Sequence, residues 1–285
     1  MANLKDLRTR IVSIGNTMKI TSAMKMVSAA KLKKAQDAIQ SMRPYSEKLT
    51  EILQNVSSSL SPDENPFAAE REVKKVLLVV LTSNRGLCGP FNSSVIKAAQ
   101  ARIAKLKGTE VELMTVGKKA NDILKRTGRV VDTETEIWNN LKFEMTDEIA
   151  EKLMLGFTNK KWDRIEIIYN QFRNAAVQEV QVEQFLPIVL PEADGSNSSG
   201  DYLYEPSKEH IIKEMIPISL RTQLFKAFID SNASEHGARM TAMHKATDNA
   251  NELRGALSLE YNKARQAAIT NEILEIVSGA NALEG

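Results

Sequence analysis

The loop of residues 83–89 has the composition of a phosphate-binding segment. Its sequence is SNRGLCG, and it lies between a predicted strand and a predicted helix. Phosphate-binding loops occupy this position in α/β proteins, because glycine lets backbone N–H groups approach an anion at a helix N-terminus. The loop lacks both the G-x-G-x-x-G spacing and the Walker lysine followed by Ser or Thr. The nucleotide signal is therefore weak, and a tight turn at a domain surface explains the glycines more simply.

Cysteine and histidine chemistry has little support. Cys88 is the single cysteine, which excludes an intramolecular disulfide and fits a reducing compartment. It has no nearby histidine or triad partner that would make it a nucleophile. Of the three histidines, His210, His236 and His244, the last two could share a helix face, but two histidines without a third ligand make a poor metal site. We predict no catalytic, cofactor-binding or metal-binding residues.

The stretch 263–273, with the sequence KARQAAITNEI, is small and apolar with isolated polar side chains. One explanation is an ordinary solvated helix face. The other is a helix that passes through a close-fitting protein collar, because small residues let the walls approach. In such a collar Arg265 and Gln266 would make directional hydrogen bonds to backbone or carboxylate groups.

Two long helices must position these residues. No proline occurs between Leu220 and Ile276, and apolar or small residues recur there at alternating steps of three and four. This spacing is typical of a coiled-coil seam. Residues 3–57 show the same spacing, with a wider apolar surface around residues 18–32. A helix of this kind needs a partner along its length, and the opposite end of the chain supplies one.

Prolines divide these helices. Pro44 is expected to bend or restart the N-terminal helix, because proline lacks the N–H of the helical hydrogen bond. The C-terminal helix is predicted to begin at Ser207, to bend at Pro217 and to end near Ala280.

Residues 73–187 predict alternating strands and helices. The continuous β-branched and leucine run at 76–81 is typical of a buried parallel strand. The other predicted strands are 111–116, 130–131, 165–169 and 177–185, and the predicted helices are 93–106, 118–126 and 147–157. This alternation indicates a mainly parallel sheet.

The predicted fold class is therefore α/β. A Rossmann-like α/β domain is inserted between N- and C-terminal helices that must return alongside each other as a long antiparallel coiled coil. We expect the N-terminal coiled-coil helix in residues 1–60, the α/β domain in residues 73–200 and the C-terminal coiled-coil helix in residues 207–285.

Charge and hydropathy narrow the function classes. The formal net charge of the 285 residues is only +2, so the whole chain is not a polyanion binder. Basic residues nevertheless dominate positions 1–48, which favours an acidic protein, nucleic acid or anionic lipid as a partner. No apolar run approaches the ~20 residues of a membrane span. The helical periodicity continues past residue 40, so we expect mature helix there and not a transit peptide.

Four segments resemble one protein family. Residues 269–280, ITNEILEIVSGA, closely resemble the C-terminal signature of gamma subunits of F-type ATP synthases, and residues 16–27, NTMKITSAMKMV, resemble their N-terminal signature. RGLCG at 85–89 and DYLYEP at 201–206 follow the family's order, so the likeness covers the whole chain. There is no sign of the cysteine-bearing regulatory insert of the chloroplast form. With no transit peptide, a bacterial protein is implied.

The resemblance implies a rotor subunit of the central stalk, without catalytic residues or cofactors of its own. Such a subunit couples proton flow through the membrane c ring to ATP synthesis at the beta subunits by rotation inside the alpha3beta3 ring. The implied partners are the alpha, beta, epsilon and delta subunits and the c ring, with no nucleic acid and no direct membrane insertion. The implied location is peripheral, on the cytoplasmic side of the bacterial inner membrane.

The family's motifs also imply partner-binding residues. Arg265 and Gln266 match positions that bond to a loop of beta, and Met24 matches a position near the acidic loop of beta. The remaining expected contacts are Tyr202, Tyr204 and Glu205 on the c ring, and Thr270, Glu272 and Glu275 in the C-terminal motif. The sequence departs from the family at Lys25, where some relatives carry an acid, and at Asn84, where Asp is usual. These departures put contact details in doubt.

Two other function classes remain open for this sequence. A small nucleotide-binding enzyme with helical arms would need tight ATP binding by the isolated chain, and its phosphate loop is deficient. A coiled-coil adaptor for nucleic acid is suggested by the basic first helix, which lacks aromatic residues for base stacking. Strong, salt-dependent DNA affinity would identify the adaptor.

Overall fold

The computed structural model describes residues 4–57, 66–69, 71–188 and 208–284. Five helices and five strands follow in chain order: α1 (Leu4–Ser57), β1 (Lys75–Leu81), α2 (Phe91–Lys105), β2 (Glu110–Val116), α3 (Lys118–Leu124), β3 (Val130–Glu134), α4 (Phe143–Thr158), β4 (Arg164–Phe172), β5 (Gln178–Leu186) and α5 (Lys208–Glu284). Short 3-10 turns cover Lys125–Thr127 and Glu136–Asn139. The chain divides into two compact units, residues 1–27 with 240–285, and residues 28–239.

The sheet belongs to the unit of residues 28–239. Its strand order is β3-β2-β1-β4-β5, with parallel pairing among the first four strands and antiparallel pairing of β4 with β5. The predicted mainly parallel sheet is confirmed, and β3 is the edge strand expected at residues 130–131. The antiparallel edge follows from the short β4–β5 connection, because a parallel pair needs a longer crossover.

Both faces of the central strand are covered, as its unbroken apolar sequence predicts. Successive side chains of a strand point to opposite faces. One face of β1 packs on α2 and α3, and the opposite face packs on α4 and on the first part of α5. The side chains from α5 in this core are Ile216, Leu220, Leu224, Ala227 and Phe228. The first part of α5 therefore acts as a helix of the α/β layer.

Pro44 does not restart the N-terminal helix, because α1 continues through it to Ser57. An interior proline costs a helix roughly 3 kcal/mol. The turn that follows is held by Leu49, which is buried in the core of the α/β layer. Pro217 likewise lies inside the continuous helix α5. Burial of Ile216 and Leu220 on either side of it offsets the lost hydrogen bond.

Candidate partner-binding surfaces

In the unit of residues 1–27 and 240–285, α1 and α5 pair in antiparallel fashion. The hydroxyl oxygens of Thr21 and Thr247 are 2.8 Å apart. One turn along, Lys25 Nζ donates to His244 Nδ1 at 3.3 Å. As the position in α1 rises, its partner position in α5 falls, which defines the antiparallel direction of the predicted coiled coil. Among the described residues of this unit, the buried apolar side chains are Leu7, Met243 and Ala250.

The C-terminal part of α5 is largely uncovered. From Asn251 to Asn281 no side chain is buried in the part of the chain that the structure describes, although the helix is continuous. Large apolar side chains there are half or more exposed: Leu253, Leu259, Ile273, Leu274, Ile276 and Val277. A helix with such an exposed apolar surface needs another protein to cover it.

The predicted partner-binding residues lie in three parts of the chain: the uncovered part of α5, helix α1, and a stretch outside the described residues. Arg265, Gln266, Thr270, Glu272 and Glu275 are all exposed on this part of α5, so they share one uncovered segment. The Thr270 hydroxyl donates to the carbonyl of Gln266 at 2.9 Å, so it is turned along its own helix.

Met24 on α1 is half-buried, whereas its neighbours Met26 and Val27 are 65% and 58% exposed. A partner that approaches this face would therefore contact Met26 and Val27 more fully than Met24. Tyr202, Tyr204 and Glu205 lie outside the described residues.

The loop at 83–89 is held against α5. The Arg239 guanidinium donates to the carbonyls of Gly86 and Arg85, the second at 3.3 Å, and to Glu235 Oε1 at 2.6 Å. We call Glu235, Arg239 and these two carbonyls the Arg239 clamp. Cys88, in the same loop, is buried against Phe91 and Ala238. The loop is thus a docking element for a helix, in addition to the tight turn that the sequence predicts.

The polar residues around this loop satisfy one another. The Ser83 N–H donates to Asn92 Oδ1 at 2.9 Å, and Asn92 Nδ2 donates to the Ser83 hydroxyl at 2.9 Å and to Cys88 Sγ at 3.1 Å. Burial raises the pKa of the Cys88 thiol, outweighing the hydrogen bond from Ser83. A neutral, buried thiol is a poor nucleophile.

The crevice that doubly wound folds use for ligands is closed. In such folds the crevice lies at the carboxyl ends of the strands where the chain order reverses, here between β1 and β4. Asn170, near the end of β4, donates to the carbonyl of Phe91 at 3.0 Å and accepts from the Ser234 hydroxyl at 3.0 Å through its own carbonyl. At Gly237 an added Cβ would lie 3.3 Å from both Phe172 and Ala175. Helix α5 therefore occupies the place of a ligand.

Burial shifts the pKa values of the ionisable side chains in this contact between α5 and the loop. Burial raises the pKa of Glu235, against the opposing effect of its hydrogen bond from Arg239. Burial also lowers the pKa of His236 to about 4, with added repulsion from Lys31 and Arg239. His236 is therefore neutral near pH 7. In the described ranges no three His, Cys, Asp or Glu side chains lie close enough together to hold a metal ion.

The Arg239 clamp is not among the site residues predicted from the sequence. Its signal is a cluster of small residues, Ser231, Ala233, Ser234, Gly237 and Ala238, interleaved with a Glu–Arg pair at i,i+4. Small side chains on several faces of one helix indicate close approach by backbone from more than one side. Within the described residues, no helix is both long and apolar enough to cross a membrane.

Comparison with known proteins identifies the family. The ATP synthase family model matches residues 3–283. The ATP synthase gamma chains of Flavobacterium psychrophilum and Flavobacterium johnsoniae are each 60% identical, over all of this chain and all of the relative. The gamma chain of Geotalea daltonii is 44% identical over the same full coverage.

Solved structures agree. The central stalk and c-ring structure of the Tetrahymena thermophila mitochondrial ATP synthase contains a chain that is 26% identical, with a TM-score of 0.60, covering 80% of this chain and 99% of that chain. A rotor chain of the Euglena gracilis mitochondrial ATP synthase shares the fold, with 20% identity, a TM-score of 0.65 and coverage of 93% and 98%. The long terminal helices, the parallel sheet and the whole-length match together show that the chain belongs to the gamma subunit family of bacterial F-type ATP synthases.

Proposed function

We propose that this chain is the rotating shaft of its ATP synthase, turned by proton flow through the c ring and driving the catalytic cycle of the beta subunits. The observation that carries the proposal is the uncovered C-terminal part of α5, with its exposed apolar side chains and with Arg265 and Gln266. A collar formed by alpha and beta subunits would cover this apolar surface. Because the collar must allow turning, small side chains such as Ala267 and Ala268 suit it better than interlocking large ones.

The proposed division of labour follows the three segments of the chain. Residues 1–60 and 207–285 would form the shaft, and residues 73–200 would bind epsilon and face the c ring. Tyr202, Tyr204 and Glu205 are proposed c-ring contacts, and Met24 is a proposed neighbour of an acidic loop of beta. The chain itself would contribute no catalytic residue, and the complex would lie on the cytoplasmic side of the inner membrane.

Co-purification tests the assignment. Tagged chain is isolated from native membranes, and the eluate is assayed for subunits and for ATPase activity. We expect alpha, beta and epsilon in a ratio of about three to three to one per tagged chain, as threefold symmetry of the collar requires. A lone chain without ATPase activity would contradict the proposal, and tight salt-dependent DNA binding would then favour the adaptor.

A pair of substitutions tests the collar itself. Ile273→Asp places a charge on the exposed apolar surface, whereas Asn271→Asp adds the same charge at a polar position two residues away. Both side chains are exposed in the chain alone, so neither change should alter its folding. We expect Ile273→Asp to reduce recovery of alpha and beta, and Asn271→Asp to leave it near the unmodified level. Equal recovery in both variants would exclude the apolar surface as the contact.

A further inference from the structure

A basic cleft lies within the unit of residues 28–239, between α1, the end of β4 and α5. Its volume is about 450 Å³, within the range of small-ligand pockets. Four cations line it: Lys33 and Arg43 from α1, Arg173 from the turn after β4, and Lys226 from α5. Phe172 contributes an aromatic wall, and glutamine side chains contribute amide groups.

Among the described residues, Asp230 of α5 is the one carboxylate that lines this cleft, and it is only 6% exposed. Burial raises its pKa to about 6, although Lys226, Arg173 and Arg43 each act in the opposite direction. These three cations come from three different elements and all act on one carboxylate, so they converge on one point. The carboxylate itself is buried, whereas the three cations around it are exposed, so salt should weaken their attraction for a bound anion.

Two of the four cations also pair with carboxylates that lie outside the cleft lining. Lys33 pairs with Asp37 at 2.7 Å, and Arg173 pairs through Nε with Glu179 at 2.9 Å. A lysine ammonium carries three N–H donors and a guanidinium carries five, so these contacts use only part of each group. Glu183 of β5 also faces Asp230 electrostatically and raises its pKa.

Glu183 differs from Asp230 because its carboxylate already accepts two hydrogen bonds from neighbouring side chains. Its carboxylate accepts from the Tyr169 hydroxyl at 2.9 Å and from Gln223 Nε2 at 2.6 Å. The carboxylate of Asp230, whose pKa burial raises to about 6, therefore changes its charge near neutral pH. When it is ionised it repels an anion, and when it is protonated it becomes a hydrogen-bond donor.

We propose that the basic cleft binds a small multivalent phosphate anion, with Asp230 weakening the binding when it is ionised. Arginine and lysine from three elements suit phosphate oxygens, because guanidinium groups bond them in pairs and ammonium groups act as point charges. A concave site with an aromatic wall fits a compact ligand better than an extended acidic segment. This site does not depend on the proposed rotation, since it needs only the folded chain.

Calorimetric titration of the full-length chain tests the site. The probe is cyclic trimetaphosphate, whose charge is constant over the pH range used. We expect Lys226→Gln and Arg173→Gln each to weaken binding about tenfold, the cost of one charged hydrogen bond. Lys97→Gln removes the same charge from an exposed position of α2 outside the cleft and is the matched control. Equal weakening by Lys97→Gln, or no binding by the unmodified chain, would overturn the proposal.

The role of Asp230 has its own readout. For the unmodified chain, affinity should rise as the pH falls from about 7.5 to 5, because Asp230 takes up a proton over that range. Asp230→Asn should bind tightly at both pH values and lose this dependence. A pH dependence that persists in Asp230→Asn would overturn the assignment to this residue. ATP that binds more tightly than trimetaphosphate would identify a nucleotide as the ligand, and equal affinity would identify a free phosphate chain.

Discussion

Replacing Arg239 with methionine tests whether the Arg239 clamp fixes α5 to the carboxyl edge of the sheet. Methionine keeps the apolar stem and removes the guanidinium. The loss leaves two loop carbonyls without their donor and leaves Glu235 buried without its ion-pair partner. The side chains of Arg239 and Glu235 are only 10% and 11% exposed, so solvent replaces little of the lost interaction.

The size of the effect follows from that burial. Removing one member of a buried ion pair costs about 3–5 kcal/mol, because the remaining charge is uncompensated. Glu235 can reduce this cost by binding a proton, since burial already raises its pKa. The destabilisation should therefore be larger at about pH 8 than at about pH 5, because the ionised form becomes populated as the pH rises through the folded-state pKa.

Thermal unfolding of the isolated full-length chain measures this effect. For a unit of this size, about 3 kcal/mol corresponds to a fall in Tm of roughly 6–12 °C. Arg254→Met, at an exposed position of the same helix, is the matched control and should leave Tm nearly unchanged. Thiol labelling gives a local readout: Cys88 is buried against Ala238, so Arg239→Met should accelerate its reaction.

The double variant Arg239→Met/Glu235→Leu separates charge from shape. It removes the stranded carboxylate, so it should be more stable than Arg239→Met alone at pH 8. A double variant that is less stable than the single variant, or a destabilisation by Arg239→Met that does not change with pH, would refute the role assigned to Glu235.

Four other substitutions probe separate features. Gly156→Ala would place a methyl group 2.1 Å from the indole of Trp162 and should cost more than about 2 kcal/mol in the unfolding free energy. Gly15→Ala, at an open helical position, should instead stabilise by up to about 1 kcal/mol. Glu166→Gln breaks a bidentate ion pair with a guanidinium of α2, at 2.5 and 2.6 Å, and should lower the urea midpoint by an amount equivalent to roughly 3 kcal/mol. Arg265→Ala should weaken coupling in the assembled complex, and unchanged ATP-driven proton pumping would contradict this.

The buried strands were predictable because a strand that is buried on both faces consists of consecutive apolar residues. Residues 76–81 are apolar without interruption, and six consecutive side chains of β1 are buried. The start of α4 was predicted at residue 147 but lies at Phe143. No side chain caps this helix, so its first turn lacks the usual sequence signal. Phe143 is instead held by an edge-to-face contact with Phe225 of α5, at 5.3 Å between ring centroids.

The contact surfaces were only partly predictable. The exposure of apolar residues such as Ile273 was predictable, because the coiled-coil spacing in α5 continues beyond the residues that its partner helix covers. The Arg239 clamp does not follow from that pattern, because its partners are backbone carbonyls some 150 positions earlier. Main-chain acceptors have no residue type that a sequence can reveal. Asp230 was missed for a related reason, since one carboxylate on a long helix gives no sign of the three cations that surround it.

The closed crevice shows how a helix takes the place that a ligand has in other doubly wound folds. A sheet that ends in an open crevice at β1 and β4 exposes polar main-chain and side-chain groups that a ligand would satisfy. In this chain Ser234 and Arg239 of α5 satisfy them, and Gly237 lets the helix backbone approach the end of β4. The polar contacts that would bind a ligand in an open crevice bind helix α5 here. A helix fixed by hydrogen bonds to one strand end and one loop resists twisting more than a helix held by apolar contacts alone, because directional contacts cannot slide without breaking. That resistance suits the proposed role of α5 in a rotating shaft.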